Sequence, residues 1–448
     1  MATPGRVAIV GAGPCGLACA RELDRLGHDD WVVYERGEQA GGHAGSVVDP
    51  AGFTWDQGGH VVFSHFGEFD RLLEEVMGAD VVEHERASFV RYGDRWVPYP
   101  FQNNLRHLPP EAAYECLLGL VEARDRPPAA DFAGWLQSTF GAGINEHFLR
   151  PYNEKVWAVP LERMSADWIA ERVSVVDYRR ALRNVVLGLD DVGWGPNNRF
   201  KFPLAGGTGE IYRRLAARLG GRIEYRREVV GVDPGRRRLH FRGGEAADYD
   251  ALVSTMPLDR LAGAIADAPG RVAAAARALE HSSVRVVGAG YEQPLAESER
   301  CWMYFPAADV PFYRVTNFAK YAAANVPGAD TGRYSSFMTE VAYSRFRPLE
   351  EDGLGERVTA ALVAAGLADA TAPLASLHSL DVEYAYPVPT LDRDRALAAI
   401  QPWLEERGIY SRGRFGSWRY ELGNMDHAVK MGIDAARLIV EGRPEELH

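Results

Sequence analysis

The sequence predicts an α/β protein in which a parallel βαβ sheet is interrupted by a helical insertion and by an antiparallel sheet. Three observations carry this reading: a strand–turn–helix–strand signature within the first 35 residues, an aromatic helical stretch over 101–198, and strand-like alternation between 282 and 343. The signature opens with the apolar run Val7-Ala8-Ile9-Val10, which enters the turn Gly11-Ala12-Gly13-Pro14-Cys15-Gly16. Residues 17–26 then read as a helix and 31–34 as a second strand. Gly11 permits the tight turn, Gly13 (beside Pro14) lets backbone approach a pyrophosphate, and Gly16 lets the helix lie against the sheet. The helix N-terminus offers unpaired N–H groups to an anion. Glu35 ends the second strand nineteen residues after the third glycine, in place to hold ribose hydroxyls. The parts are in register, so the first domain is expected to be Rossmann-like and to bind a dinucleotide.

The next elements narrow the cofactor. Glu35-Arg36 and the doublet Gly41-Gly42 form an E-R-x4-GG pattern, followed by Asp56-Gln57-Gly58-Gly59-His60. A glycine pair lets backbone lie against a ligand where a side chain would collide, and this continuation is typical of proteins that bind FAD. Residues 112–123, 131–140, 145–150 and 166–187 read as helices of an inserted domain. Gly206-Gly207-Thr208-Gly209 opens a helix over 211–219. One or two strands over 222–233 and an apolar strand over 249–256 return the chain to the cofactor domain, with the Val229 backbone facing the adenine. Stretches 282–291, 304–318 and 334–343 alternate like antiparallel strands and form one wall of a cleft, interrupted by a helix over 355–365. The last helix, 424–440, is entered through Gly423 and Asn424 and can aim its N-terminus at a ligand. The expected organisation is an FAD-binding domain built from 1–98, 201–262 and 386–448, a helical substrate domain at 99–200 and an antiparallel sheet domain at 263–385.

Composition sets bounds. The 448 residues suffice for two or three domains, and 46% hydrophobic with 25% charged residues is ordinary for a globular protein. No apolar run reaches the length of a membrane span, no secretory leader is evident, and the four cysteines suggest no disulfide framework, so a cytoplasmic location is expected. A net charge of −12 argues against a nucleic-acid partner. An anionic small ligand would need arginine concentrated at its site.

Six blocks are too aromatic and polar for ordinary core. They are Tyr99-Pro100-Phe101-Gln102-Asn103-Asn104, residues 150–158, Glu171-Arg172-Val173, Trp194-Gly195-Pro196-Asn197, Pro311-Phe312-Tyr313-Arg314, and 414–420 with Gly423-Asn424. On these blocks the chain resembles the UDP-galactopyranose mutases of the eukaryotic type, flavoenzymes that interconvert the pyranose and furanose forms of a nucleotide sugar. The resemblance runs from the glycine motif to near the C-terminus. It implies that Tyr99, Phe101 and Gln102 hold the uracil. It places Asn153, Trp157, Arg172, Tyr304, Arg314, Tyr386 and Tyr420 on the nucleotide and its pyrophosphate, and His60, Asn197 and Arg414 around the sugar and flavin. It gives His65, Arg86 and Ser88 to NADPH, the reductant of the flavin. Catalysis would rest on Arg172, Arg314 and His60: the arginines stabilise the departing diphosphate, His60 orders backbone beside the flavin N5, and reduced FAD attacks the anomeric carbon through N5. Met425 departs from the resemblance, which has glutamine there.

The residues themselves support an anion site. Arginines bind diphosphate bidentately, and each charge-assisted hydrogen bond contributes about 1.5–3 kcal/mol. No Ser-His-Asp, paired-carboxylate or metal-ligand spacing stands out, so the cofactor carries the hard chemistry and no metal is expected. Blander readings exist: Arg172 beside Glu171 fits a surface ion pair, His60 a loop hydrogen bond, and the tyrosines core packing. The FAD domain is also common to amine oxidases and phytoene desaturases, which need an apolar tunnel, and to prenyl-protein binding modules of the Rab GDP-dissociation inhibitor kind, which lack active flavin.

Overall fold

Strands Val7–Val10, Trp31–Tyr34, Ile223–Glu224, Ala251–Ser254 and Ile409–Ser411 come from distant stretches of chain and form one parallel sheet. Val7–Val10 lies at its centre, between Ala251–Ser254 and Trp31–Tyr34. Both faces are covered: Val7, Ile9, Trp31, Val33 and Val253 pack into one apolar layer, and Ala8, Val10, Val32, Tyr34 and Leu252 into the other. Two-sided burial is why these strands read as unbroken apolar runs. The computed structural model describes residues 5–127, 129–169, 173–193 and 198–447.

Helix Pro14–Arg25 follows the first strand. Gly11 has a φ of +104°, and a Cβ at Gly16 would lie 2.0 Å from the Gly11 carbonyl oxygen. Only glycine meets either demand without strain. The last helix, Met425–Glu441, packs along this first helix and so ties the two ends of the chain together.

The second sheet has seven strands in the order Leu374–Val388, Glu280–Tyr291, Ser335–Tyr343, Arg314–Asn317, Trp302–Tyr304, Ser88–Tyr92 and Arg95–Pro98. Its pairings are antiparallel except where Trp302–Tyr304 meets Ser88–Tyr92. The expected strand over 304–318 is instead two short strands, Trp302–Tyr304 and Arg314–Asn317, separated by a loop containing Pro306 and Pro311. Strands Ser88–Tyr92 and Arg95–Pro98 fall inside residues 1–98 yet complete this sheet and not the parallel one. Over the insertion, helices occupy Pro110–Ala123, Phe132–Ile144, Arg150–Trp157 and Tyr178–Leu187. Of the helix expected over 166–187, the described residues show Tyr178–Leu187, which begins where Asp177 caps it by accepting from the Arg179 and Arg180 N–H groups; residues 170–172 lie outside the described residues.

Asp56 ends the strand Thr54–Asp56 fully buried, just ahead of Gly58, Gly59 and His60. The Ser46 hydroxyl donates to its Oδ1, and its Oδ2 lies 3.0 Å from Thr208 Oγ1. Thr208 Oγ1 is also 3.0 Å from the Ala44 carbonyl oxygen. The Thr208 backbone N–H also points at the carboxyl group, 3.3 Å from Oδ1 and 3.4 Å from Oδ2. Burial pushes Asp56 up to about 7 although its hydrogen bonds from Ser46 and Thr208 work the other way. The folded pKa lies above the unfolded one, so stability falls as pH rises between about 4 and 7. Asp56→Asn, a neutral mimic, should therefore gain stability relative to the parent on going from pH 5 to pH 8. A parent-minus-variant difference in melting temperature that stays flat over this range would contradict a protonated Asp56.

Candidate active site

A cleft of about 1870 Å³ runs from the Gly11 turn to the helical insertion, with the antiparallel sheet as one wall. Gly11, Gly13, Pro14, Arg36, Gly42, Val229, Gly423 and Asn424 line one end. The Glu35 carboxylate is fixed there by the Ala12 N–H at 2.8 Å and the Gly37 N–H at 2.7 Å. Gly16 and Gly41 lie behind the lining; a Cβ on Gly41 would sit 2.9 Å from the Gly45 Cα. Helices Pro14–Arg25 and Met425–Glu441 both begin at the cleft, the second capped at Asn424. A glycine floor, a carboxylate at a strand end and a helix N-terminus are the groups a dinucleotide requires, so the residues present fit FAD.

At the other end the sheet register sets the chemistry. Tyr304 pairs with Arg314, and Arg314 with Glu340, so three polar residues cross adjacent strands in one row. Glu340 is buried, which would cost several kcal/mol for a lone carboxylate. It receives four donors. Arg314 Nε reaches Oε1 at 2.7 Å and Nη2 reaches Oε2; the Gly59 N–H reaches Oε1 at 2.9 Å and the Tyr313 hydroxyl Oε2 at 2.5 Å. Burial opposes the charge on Arg314, but Glu340 more than offsets it and keeps the guanidinium protonated. The guanidinium also lies over Trp302 at 4.5 Å. Its Nη1 has no hydrogen-bond partner among the described residues, which leaves that face for a ligand. Glu340 was not among the residues the sequence singled out. Its one signal is an acid inside the apolar run of Ser335–Tyr343.

Tyrosines surround this cation. The Tyr313 hydroxyl is 2.9 Å from that of Tyr386. Tyr99 and Tyr152 pack their rings against Tyr304 at 5.0 and 5.2 Å, and Trp157 meets Tyr420 edge-on at 4.8 Å. Burial raises Tyr99, Tyr152, Tyr304 and Tyr386, so their hydroxyls stay protonated. Lys155, on the helix that carries Tyr152, Asn153 and Trp157, donates to the carbonyls of Phe305, Ala307 and Val310, each at 2.8 Å. It thereby pins the loop leading to Tyr313 and Arg314. Burial lowers it to about 7.

The remaining expected residues sort by position. His60 lines the cleft beside Gly59 and Glu340. Burial pulls it down to about 4 against Glu340, with Arg414 and Arg314 adding to the fall, so it is neutral at physiological pH. Arg414 lines the cleft but spends its guanidinium on the carbonyls of Ala385 and Gly423. Asn153, Arg86 and His65 also line it, with Arg86 over Trp302 at 4.4 Å and His65 Nδ1 2.8 Å from Asp426. Ser88 is buried in the sheet behind them. Phe101 is in the core, stacked on Phe148 at 4.8 Å, and Gln102 is buried with its Nε2 turned to the Ser174 carbonyl; neither borders the cleft. Arg172 and Asn197 lie outside the described residues. Among those described, His65, Asp426 and His427 are close enough to hold a metal, but both imidazoles present Nδ1 to the Asp426 carboxylate, at 2.8 and 3.1 Å.

Three kinds of comparison bear on this geometry. Residues 14–440 match the family model of flavin containing amine oxidoreductases. Among solved structures, the chain is similar to a reduced UDP-galactopyranose mutase with a TM-score of 0.95 and 38% identity, over 99% of this chain and 97% of that one. Cyclohexylamine oxidase from Brevibacterium oxydans superposes with a TM-score of 0.68 at 17% identity, over 98% and 99%, a likeness of fold alone. Among curated proteins, 15-cis-phytoene desaturase of Synechococcus elongatus is 34% identical over 85 residues, 19% of this chain and 18% of that protein. Zeta-carotene desaturase of Zea mays is 38% identical over 91 residues, 20% and 16% respectively. The chain thus matches less than a fifth of the length of these curated relatives. Matched over nearly its whole length in both cases, the chain belongs to the flavin-containing amine oxidoreductases and, among them, to the UDP-galactopyranose mutases.

Proposed function

We propose that this chain interconverts the pyranose and furanose forms of a nucleotide sugar, with UDP-galactose as the substrate and reduced FAD as the cofactor. The observation that carries the reading is the row Tyr304, Arg314 and Glu340 in a cleft walled by tyrosine hydroxyls. A carotenoid or amine substrate would call for an apolar tunnel, which a buried arginine–carboxylate pair does not provide. Reduced FAD supplies the nucleophile for the anomeric carbon. Arg314 binds the diphosphate through its free edge, steadies the charge that develops as the sugar leaves, and keeps the diphosphate close for its return. Arg172 is the second cation of this grip. Tyr420 donates to the same oxygens, Tyr386 stands beside them with its hydroxyl on Tyr313, and Trp157 covers the nucleotide with apolar surface. Neutral His60, with Gly59 fixed by Glu340, sets the backbone against the flavin ring without adding charge. NAD(P)H is the reductant, approaching through His65 and Arg86, with Ser88 behind them.

Protein reduced with dithionite or NADPH should convert UDP-galactofuranose to UDP-galactopyranose, followed by chromatography, while oxidised protein stays silent. Equal turnover in both states would overturn the reading. Replacing Arg314 by Met should lower kcat/KM about tenfold to a hundredfold, the worth of one charge-assisted hydrogen bond, with the flavin spectrum unchanged. Arg314→Lys should recover much of the lost stability, because Glu340 again has a cation, but little of kcat/KM. Full activity in either variant would remove Arg314 from the mechanism.

A further inference from the structure

Lys155 is buried, and its charge is met by main-chain carbonyls instead of a carboxylate. The carbonyls of Phe305, Ala307 and Val310, each at 2.8 Å, take all three N–H groups of the ammonium. A neutral amine has two N–H groups, so it would leave one carbonyl facing a lone pair. All three carbonyls belong to the loop between Trp302–Tyr304 and Arg314–Asn317. The ends of that loop are Tyr304 and Arg314, which pair across the two strands and line the cleft. The helix that carries Lys155 brings Tyr152, Asn153 and Trp157 to the same cleft. One ammonium thus joins two walls of the site. The charged groups facing it are Arg347, from the segment after Ser335–Tyr343, and Asp309, in the pinned loop. Glu154, its neighbour on the helix, is paired with Arg150. Burial, with Arg347 adding to it and Asp309 opposing, brings Lys155 down to about 7.

We propose that Lys155 is a positioning residue whose protonation sets how firmly the cleft holds an anionic substrate: the ammonium locks the loop that presents Tyr304 and Arg314, and the free amine releases it. The inference rests on the cleft being a nucleotide-sugar site. Apolar packing would hold the loop equally at every pH, whereas a cation holds it only while charged. A substrate that needs the pinned loop binds the ammonium form more tightly, so its binding raises the Lys155 pKa. Affinity is then full below the free-state value of about 7 and declines above it. The decline amounts to about tenfold for each unit by which binding raises that pKa.

Calorimetric titration of the oxidised, flavin-loaded chain with UDP-galactopyranose should show affinity falling about tenfold from pH 6 to pH 8.5. The diphosphate of this ligand is a diester and keeps both charges over that range. Lys155→Arg, whose charge does not titrate, should keep at pH 8.5 the affinity that the parent has at pH 6. Lys155→Met should be equally indifferent to pH but at the weaker level, with flavin content and circular dichroism retained. Every other titratable group is common to the three chains, so the difference isolates Lys155; should Lys155→Met fail to fold, the arginine variant decides. A parent whose affinity is level across the range, or a decline that persists in Lys155→Arg, would overturn the proposal. A parent that binds no nucleotide sugar at either pH would instead remove the mutase reading, and this inference with it.

Discussion

A guanidinium buried between a sheet and a cleft keeps its charge only if a carboxylate shares the burial, and here that carboxylate is Glu340, one strand away from Arg314. The pair is affordable because Glu340 receives further donors from Gly59 and Tyr313. Those donors come from distant stretches of chain. Gly59 belongs to the glycine loop beside the cofactor end, whereas Tyr313 leads through Tyr386 into the aromatic wall. One buried carboxylate thus joins the glycine loop to the cation proposed to hold the substrate. If Arg314 alone were removed, Glu340 would be left without its counter-charge, the situation in which buried pairs are most costly.

Around that link the architecture divides its work. The parallel sheet, sealed on both faces, supplies a rigid edge from which Glu35 and two helix N-termini meet the cleft. The antiparallel sheet supplies register, which is a more exact device than a loop for lining up Tyr304, Arg314 and Glu340. The helical insertion supplies aromatic cover, and Lys155 ties it to the sheet through three carbonyls. The oxidase is similar in fold alone; the polar row is the part proposed to bear on substrate.

The cofactor half was legible because its signals are local. The turn from Gly11 to Gly16, Glu35 at a fixed spacing and the Gly41-Gly42 pair each answer a steric demand within a few residues, and the fold class followed from them. The antiparallel sheet was only partly legible. Leu374–Val388 is a fifteen-residue strand whose outer stretch is largely exposed, so it lacks the apolar run that marks a buried strand. The break between Tyr304 and Arg314 was signalled by Pro306 and Pro311, but alternation on either side outweighed it. Glu340 escaped because its partners lie 26 and 281 residues away, and no spacing in one sequence reports such distances. Arg414 is the reverse case: the sequence singled it out and it lines the cleft, while its hydrogen bonds go to the backbone carbonyls of Ala385 and Gly423.

The central claim is that a charged clamp anchored by Glu340 reads the diphosphate, and it is tested most directly by calorimetric titration of the reduced protein with UDP and with uridine. Preference for UDP by roughly tenfold or more, largely abolished in Arg314→Met, is the predicted result, at about 1.5–3 kcal/mol per charge-assisted bond. Equal affinity for the two ligands, or a preference for UDP that survives loss of the guanidinium, would contradict it.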